Sequence, residues 1–334
     1  CLVGSEMCIR DRRCKITGLA LTLLLSGAAG CIREDLSGCR PGVGVVYEYS
    51  LNSEQENLFG SEVDKVTTYA FDENGIFVGS YSDAGEHLTN DYRMVLPLPD
   101  GVYTLVVWAG PLGDYIVGDN STSDFSAPEA GVTRIENFML KYRVDGEPAV
   151  DSDVDDLYHG IITGVVSDYT RSNTYTVSLT KNTSDVRVTL VDTTPGNTID
   201  GSAAGRADDR FEVYCTSANG RYNADNTLGD GALTLTYTPY DRTDAGQESR
   251  QTMSMLRLMA DRSCQSMLVV HDKEQNTDIY RKSLIEAIME NPALATQEDL
   301  DREDLFDFRI KLEMNVVAEV WINGWKIVDI TPDL

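Results

Sequence analysis

The chain has 334 residues, 42% of them apolar, which is enough for two domains of ordinary size that each bury a core and too apolar for a disordered polymer. Acidic residues outnumber basic ones 54 to 28, for a formal charge of −26, and such a surface repels polyanions, which argues against nucleic acid or anionic lipid headgroups as partners. Frequent Thr, Tyr and Val, with turn residues at short intervals, favour strands over helices.

The opening CLVGSEMCIRDR matches nothing that follows and looks like translated sequencing-adapter read-through, so it is set aside from the fold argument. From Arg13 the chain reads as a bacterial export signal. Arg13 and Lys15 are followed by the apolar run Ile16–Leu25, too short to span a bilayer, and then by Ala28, Ala29 and Gly30 ahead of Cys31. Small residues before a cysteine resemble a lipobox, with Ala28 where Leu is commoner. This predicts that residues 1–30 are removed and that Cys31 becomes a lipidated N-terminus. Each buried CH₂ contributes about 0.8 kcal/mol, so two or three acyl chains such as palmitate hold a protein in the membrane. Residues 31–41 read as a polar tether.

Residues 42–170 read as an N-terminal β-sandwich. Val43, Val45, Tyr47 and Tyr49 alternate within Gly42–Ser50. Lys65–Asp72 and Ile76–Tyr81 flank Glu73-Asn74-Gly75, a hairpin signal because Asn-Gly tolerates positive φ. Met94–Leu98 and Val102–Trp108 flank Pro99-Asp100-Gly101, and Arg134–Lys141 is another strand. Residues 143–173 are acidic and loop-like, with an apolar stretch at Ile161–Val166. Residues 171–334 read as a second sandwich. It would start with Tyr175, Val177 and Leu179 and continue through Val186–Val191, Phe211–Thr216, Ala232–Pro239, Met253–Met259 and Ser266–Asp272. Asp241–Arg250 reads as a polar loop, Tyr280–Glu290 as a helix stopped by Asn291-Pro292, and 296–307 as a second, solvated helix. Phe308, Ile310, Leu312, Met314 and Val316 then alternate strictly with polar residues, and Val320–Ile322 and Trp325–Ile330 form a hairpin about Asn323-Gly324. The expected fold class is therefore mainly all-β, with one short helical insertion in the second half.

No constellation points to catalysis. Asp151–Asp156 begins like a calcium loop but has Asp156 at the glycine position and Ile162 where the bidentate glutamate belongs, so it reads as a solvated acidic loop. His87, His159 and His271 are widely separated, and GxSxG, HExxH, P-loop and dinucleotide signatures do not occur. No enzyme activity, cofactor or small-molecule substrate is expected. Cys31, Cys39, Cys215 and Cys264 show neither CxxC nor Cys/His spacing, which gives no sign of zinc. Cys215 and Cys264 border second-half strands and could be bridged, which would contribute roughly 3–4 kcal/mol if unstrained.

CIREDLSGC followed by VVYEYS, then VTTYAFDENGIFVGSY, LPLPDGVYTLVVWAG, DLYHG and VSLTKNTSDVRVTL, closing on Trp-containing strands, resembles in order the FimB/Mfa-type fimbrial anchor proteins of the Bacteroidales. The resemblance implies two transthyretin-like sandwiches, a lipid anchor in the outer membrane, and stalk subunits of a fimbria as partners, with no catalytic residue. It also implies that stalk subunits lose their first strand by cleavage at a basic residue, whereas this chain has no Lys or Arg between Pro41 and Asp64 and would keep its own. The alternative is a surface glycan-binding lipoprotein of a polysaccharide-uptake system. An exposed, coplanar row of aromatics among Trp108, Trp321, Trp325 and the tyrosines would favour it, and a buried set would favour the anchor.

Overall fold

Val43, Val45, Tyr47 and Tyr49 alternate with small or polar neighbours. In the computed structural model they are buried along one face of β1 (Val43–Glu48) and the residue that follows it. The structure describes residues 42–121, 125–195, 210–229, 231 and 233–327. A one-turn helix, α1 (Phe59–Glu62), leads to β2 (Lys65–Phe71), β3 (Phe77–Ala84), β4 (Arg93–Leu96) and β5 (Gly101–Ala109). Then come β6 (Tyr115–Asp119), β7 (Phe138–Tyr142), β8 (Ala149–Val150), β9 (Tyr158–Ser167), β10 (Thr174–Ser178) and β11 (Thr180–Lys181). The chain continues through β12 (Thr183–Asp192), β13 (Phe211–Ser217), β14 (Arg221–Asn223), β15 (Leu235–Tyr237), β16 (Asp241–Ala245), β17 (Glu248–Leu256), β18 (Met267–Asp272) and β19 (Thr277–Ser283). Helices α2 (Leu284–Met289) and α3 (Gln297–Arg302) precede β20 (Leu305–Glu313), β21 (Val316–Ile322) and β22 (Trp325–Lys326).

These strands make the mainly-β, two-sandwich architecture expected, within one compact unit. In the first sandwich the sheet β10-β1-β4 faces the sheet β11-β9-β5-β2-β3 across a core that includes Val45, Tyr47, Val66, Leu105 and Val177. In the second, β16-β17-β12-β20-β21-β22 faces β19-β18-β13-β15-β8 over Val188, Leu190, Val213, Leu268 and Phe308. A fifth sheet, β14-β7-β6, joins the two: its Phe138, Leu140 and Tyr222 belong to the second core together with Tyr69, Phe71 and Trp108 from the far faces of β2 and β5.

Turns form where the residues permit them. Asp72 Oδ1 accepts from the amides of Asn74 and Ile76, each at 2.9 Å, and Gly75 takes φ +72° to close the β2–β3 hairpin. Asn323 and Gly324 take φ +43° and +78° between β21 and β22. The helical insertion is capped as its sequence dictates: Ser283 Oγ accepts from Glu286 N, and Thr296 and Asp299 form a reciprocal capping box for α3.

Several expectations need correction. The helix predicted over 280–290 starts only at Leu284, because Thr277–Ser283 pairs with β18 and turns Tyr280 into the core. Asp241–Arg250 is no loop: β16 and the start of β17 form a hairpin about Gly246, at φ +61°. The final alternation breaks at Met314 and Asn315, both at positive φ, so Met314 and Val316 are exposed at a turn. Residues 135–137 are a 3₁₀ turn ahead of β7, and β6 has no counterpart in the sequence reading. β10 and β11 lie beyond residue 170, where the reading divides the chain, yet they pair with β1 and β9 in the first sandwich.

Between the sandwiches, Asn182 is buried with its amide facing that of Asn226: Asn182 Nδ2 donates to Asn226 Oδ1 at 2.5 Å and Asn226 Nδ2 to Asn182 Oδ1 at 3.0 Å. His159 is buried nearby, 4.6 Å from the Trp108 ring between centroids, and its Nε2 donates to Ala224 O at 2.9 Å. Burial pulls its pKa from 6.5 down to about 4, against the opposing hydrogen bond to Ala224. The unfolded chain takes up this proton near pH 6.5 and the folded chain only near pH 4. The stabilisation is therefore present above 6.5 and lost as pH falls through that window. Urea titrations at pH 7 and 4.5 should show the wild type losing about 2–3 kcal/mol more than His159→Gln. Equal losses would remove His159 from the account.

Candidate functional site

Among the described residues, strand edges and the first strand itself are the groups best able to hold another protein. β1 is the middle strand of its sheet, parallel to β10 and antiparallel to β4, so both of its main-chain edges are used within the chain. Tyr47 Oη lies 2.6 Å from Thr68 Oγ1 and donates to Met94 Sδ at 3.3 Å, which ties β1 to both sheets. On its outer side Gly44 has no Cβ, and any there would run into the Arg93 guanidinium. Arg93 crosses β1 at this point and donates to Thr174 Oγ1 at 3.2 Å and Ser172 Oγ at 3.4 Å, so it straps β4 to the β10 side of the sheet.

The segment after β1 is held just as closely. Asn57 Oδ1 accepts from Tyr49 N at 3.0 Å, Asn52 Nδ2 donates to Tyr49 O and Glu56 O, and Asn90 bonds both Gly60 N and Asn57 O. Sequence reasoning missed these asparagines. Their signal is slight: an amide is the one uncharged side chain that can both donate and accept across an irregular stretch.

The two sides of the first sandwich differ. On one, a single residue, Leu179, carries the chain from β10 into β11 and so from one sheet to the other, and Tyr175 Oη accepts from Val166 N at 2.9 Å. On the other, β3 and β4 are the last strands of their sheets and leave between them an open cleft of about 430 Å³, lined by residues such as Tyr81, Asp83, Tyr92 and Met94. Asp83 organises its rim, accepting from Tyr92 Oη at 2.6 Å and lying 3.0 Å from His87 Nε2. Those hydrogen bonds, from Tyr92 and then His87, hold its carboxyl below the usual range.

Two carboxylates of the acidic run at 151–156, those of Asp155 and Asp156, are engaged in structural bonds. Asp155 Oδ2 accepts from Gly113 N at 2.6 Å, and Asp156 accepts from Thr183 Oγ1 and pairs with Lys181 at 3.2 Å. Lys181 also meets Asp304 at 3.3 Å. Burial lowers its pKa, but the two aspartates outweigh that and the net shift is upward. Among the described residues no group of three His, Cys, Asp or Glu could hold a metal ion. The histidines stay apart: His87 sits beside Asp83, His159 is buried, and His271 meets Asp278 at 2.8 Å.

Cys31 lies outside the described residues. Cys215 and Cys264 are both buried free thiols, so the bridge considered for them is not formed; Cys264 Sγ lies 3.1 Å from Ser266 Oγ, and burial pushes the Cys215 thiol up. Trp108 is buried, while Trp321 and Trp325 sit in the C-terminal hairpin with Lys326 Nζ 5.6 Å from the Trp321 ring centroid. No helix among the described residues is long and apolar enough to cross a membrane.

Against this geometry, residues 36–331 match the model of the family described as fimbrillin-A associated anchor proteins Mfa1 and Mfa2. The chain is 24% identical to the minor fimbrium anchoring subunit Mfa2 of Porphyromonas gingivalis over 95% of both chains. The solved structure of the P. gingivalis fimbrial anchor protein Mfa2 superposes with a TM-score of 0.68 at 22% identity, covering 86% of this chain and 98% of that one. A Bacteroides thetaiotaomicron structure provisionally described as polysaccharide binding matches with a TM-score of 0.74 and 26% identity, over 86% of this chain and 97% of that one. Another from the same organism, provisionally described as an adhesin, gives 0.72 and 25% over the same shares.

The thiol assignment has a direct readout. Peptide mapping after iodoacetamide should find Cys215 and Cys264 unmodified in the native protein and both modified in guanidinium chloride without reductant. Protection that persists in denaturant would mean that a bridge forms.

Proposed function

This chain belongs to the fimbrillin-A associated anchor proteins Mfa1 and Mfa2, and from that premise we propose that it is an outer-membrane lipoprotein that holds a fimbria at the cell surface by pairing strands with stalk subunits. The observation that carries this reading is the placement of β1. The chain's own first strand fills the middle of its sheet, bonded on both edges and strapped by Arg93, while the segment behind it contains no basic residue at which to be cut. A subunit that retains this strand is complete in itself, as the fixed end of a polymer must be. The attachment to the membrane is assigned to lipid on Cys31, from the basic, apolar and small-residue order that ends on that thiol. The partners on this reading are proteins, and the reaction is main-chain hydrogen bonding along a sheet edge rather than catalysis.

A glycan-binding role is the second reading, favoured by the polysaccharide-binding description of one solved relative. The arrangement of aromatics lends it little support. Trp108 is in the core, and Tyr169 and Trp325, the exposed large aromatics, lie in different parts of the fold.

Deleting the gene should move stalk subunits from cells to the medium, while fimbriae still assemble. Cys31→Ala should fail to restore attachment and should incorporate no labelled fatty acid. Blotting of cell-bound and released stalk in wild type, deletion and complemented strains decides it. Unchanged retention in the deletion strain would defeat the anchor, and loss of growth on one polysaccharide there would promote the glycan reading.

A further inference from the structure

Sheet edges differ in how well they are defended, and on that basis we infer that the outer edge of β3, from Gly79 to Asp83, is where an extended segment of a stalk subunit adds as the next strand. The inference rests on the anchoring reading and gives it a place.

An exposed edge is a template for foreign strands unless it is short, charged, bent or covered. Most edges here are defended. β16 carries Asp241, Arg242 and Asp244; β19 carries Asp278, Arg281 and Lys282. β8, β11 and β22 are two residues long. β14 is covered by its own following chain, through Gly229 N to Arg221 O and Asn223 N to Thr227 O, and β6 by Ser126. β10 is shielded by the bond between Tyr175 and Val166. β3 is defended less. It is eight residues long, FVGSYSDA, with no proline, no basic residue and one carboxylate, Asp83, near its far end; its one irregularity lies at Phe77, and among the described residues β2 is the one strand paired with it in the sheet.

The edge already accepts main-chain partners at one end. Phe77 N donates to Thr133 O at 2.8 Å and Gly131 N to Phe77 O at 2.9 Å, after which that stretch leaves the edge. From Gly79 to Asp83 the groups facing away from β2 meet no partner among the described residues, and a Cβ on Gly79 would meet nothing nearer than Tyr81 Oη at 3.8 Å. An incoming strand would continue the ladder where residues 131–133 stop, with alternate side chains entering the cleft between β3 and β4.

The cleft also states what those side chains should be. Its lining combines the Tyr81 and Tyr92 rings, Met94 and Val95 with Ser82, Asp83 and Arg93, so an aromatic side chain with a polar tip, such as tyrosine, fits there. Asp83 lines the cleft and accepts from Tyr92 Oη, and its carboxylate is matched in charge by a lysine or arginine of the incoming strand; Arg93 lines the cleft too, its guanidinium donating to Thr174 and Ser172. The partner segment is thus extended, with aromatic or amphipathic side chains at alternate positions and a basic residue placed to meet Asp83.

The test uses the full-length lipoprotein in cells and the stalk subunits of the same fimbria as probe. Ser80→Lys/Ser82→Lys alters two exposed side chains and removes the Ser82 hydroxyl that lies 2.8 Å from Thr67 Oγ1. It should reduce the cell-bound stalk by about tenfold or more at unchanged surface level, whereas Thr243→Lys on β16 should leave it unchanged. A benzophenone amino acid at position 82 should crosslink to the stalk subunit, one at 243 should not, and this arm holds even where the double variant misfolds. Wild-type retention in a folded double variant, or crosslinking at 243 and not at 82, overturns the inference. If the deletion strain sheds fimbriae in either case, the anchoring reading stands and only its location falls.

Discussion

Along residues 66–71 of β2 and 105–109 of β5, the five-stranded sheet has no face open to water. Val66, Ala70, Leu105 and Val107 point into the first core, while Tyr69, Phe71, Val106 and Trp108 point into the second. A strand buried on both sides must be apolar throughout instead of alternating, which is why VTTYAF and TLVVWA read as near-continuous hydrophobic runs. Each large side chain buried there contributes roughly 1.5–3 kcal/mol relative to exposure, so separating the two cores would expose Tyr69, Phe71 and Trp108 together. The arrangement has a polar cost as well. Among the described residues Trp108 Nε1 is buried without a hydrogen-bond partner, and His159 remains uncharged to stay there.

The two sandwiches repeat one device. β1, the first strand of its half, lies between a parallel late strand, β10, and an antiparallel one, β4. β12, the first strand of the second half, lies between parallel β20 and antiparallel β17. The register is continuous in both, so each first strand is placed by pairing on two sides and by its apolar face. Asn182 sits between β11 and β12, at the passage from one copy of the device to the next, and its reciprocal amide pair with Asn226 satisfies groups that would otherwise be stranded in the core. The relatives differ in what they are described as doing, yet share this architecture over most of their lengths, so function among them has to be read from edges and surfaces.

Much of this was legible in the sequence, and the parts that were not share a cause. Strands with one wet face announce themselves by alternation, as in Val43–Glu48 and from Phe308 to Leu312, although Leu305–Asp307, read as the end of a solvated helix, already belongs to β20; the Asn-Gly turns are legible because positive φ selects those residues. The end of β19 from Tyr280 reads as helix because Tyr280, Leu284 and Ile288 also satisfy a helical period; only pairing with β18 decides that Tyr280 belongs to a strand. β10 looked like the opening of a second domain because nothing local reveals that its partner lies more than a hundred residues earlier. Candidate site features were less readable still. Whether an edge is defended depends on what covers it, and the asparagines that lock the segment behind β1 act through contacts at Asn90 and Tyr49 that no spacing rule encodes.

The position of β1 also sets how the molecule bears tension. A pull entering from the N-terminal side reaches Val43 first and acts along the strand axis, parallel to both ladders. It therefore loads the bonds to β10 and β4 in shear, all at once, rather than peeling them one by one as a pull across an edge strand would. The Arg93 strap lies across that direction of slip, with Gly44 directly beneath it, so a shift of one residue would drive the Val45 side chain or backbone into the guanidinium. Rupture in this geometry requires concerted loss of the ladder, and what governs endurance is then the rate of that single event rather than the equilibrium stability of the fold.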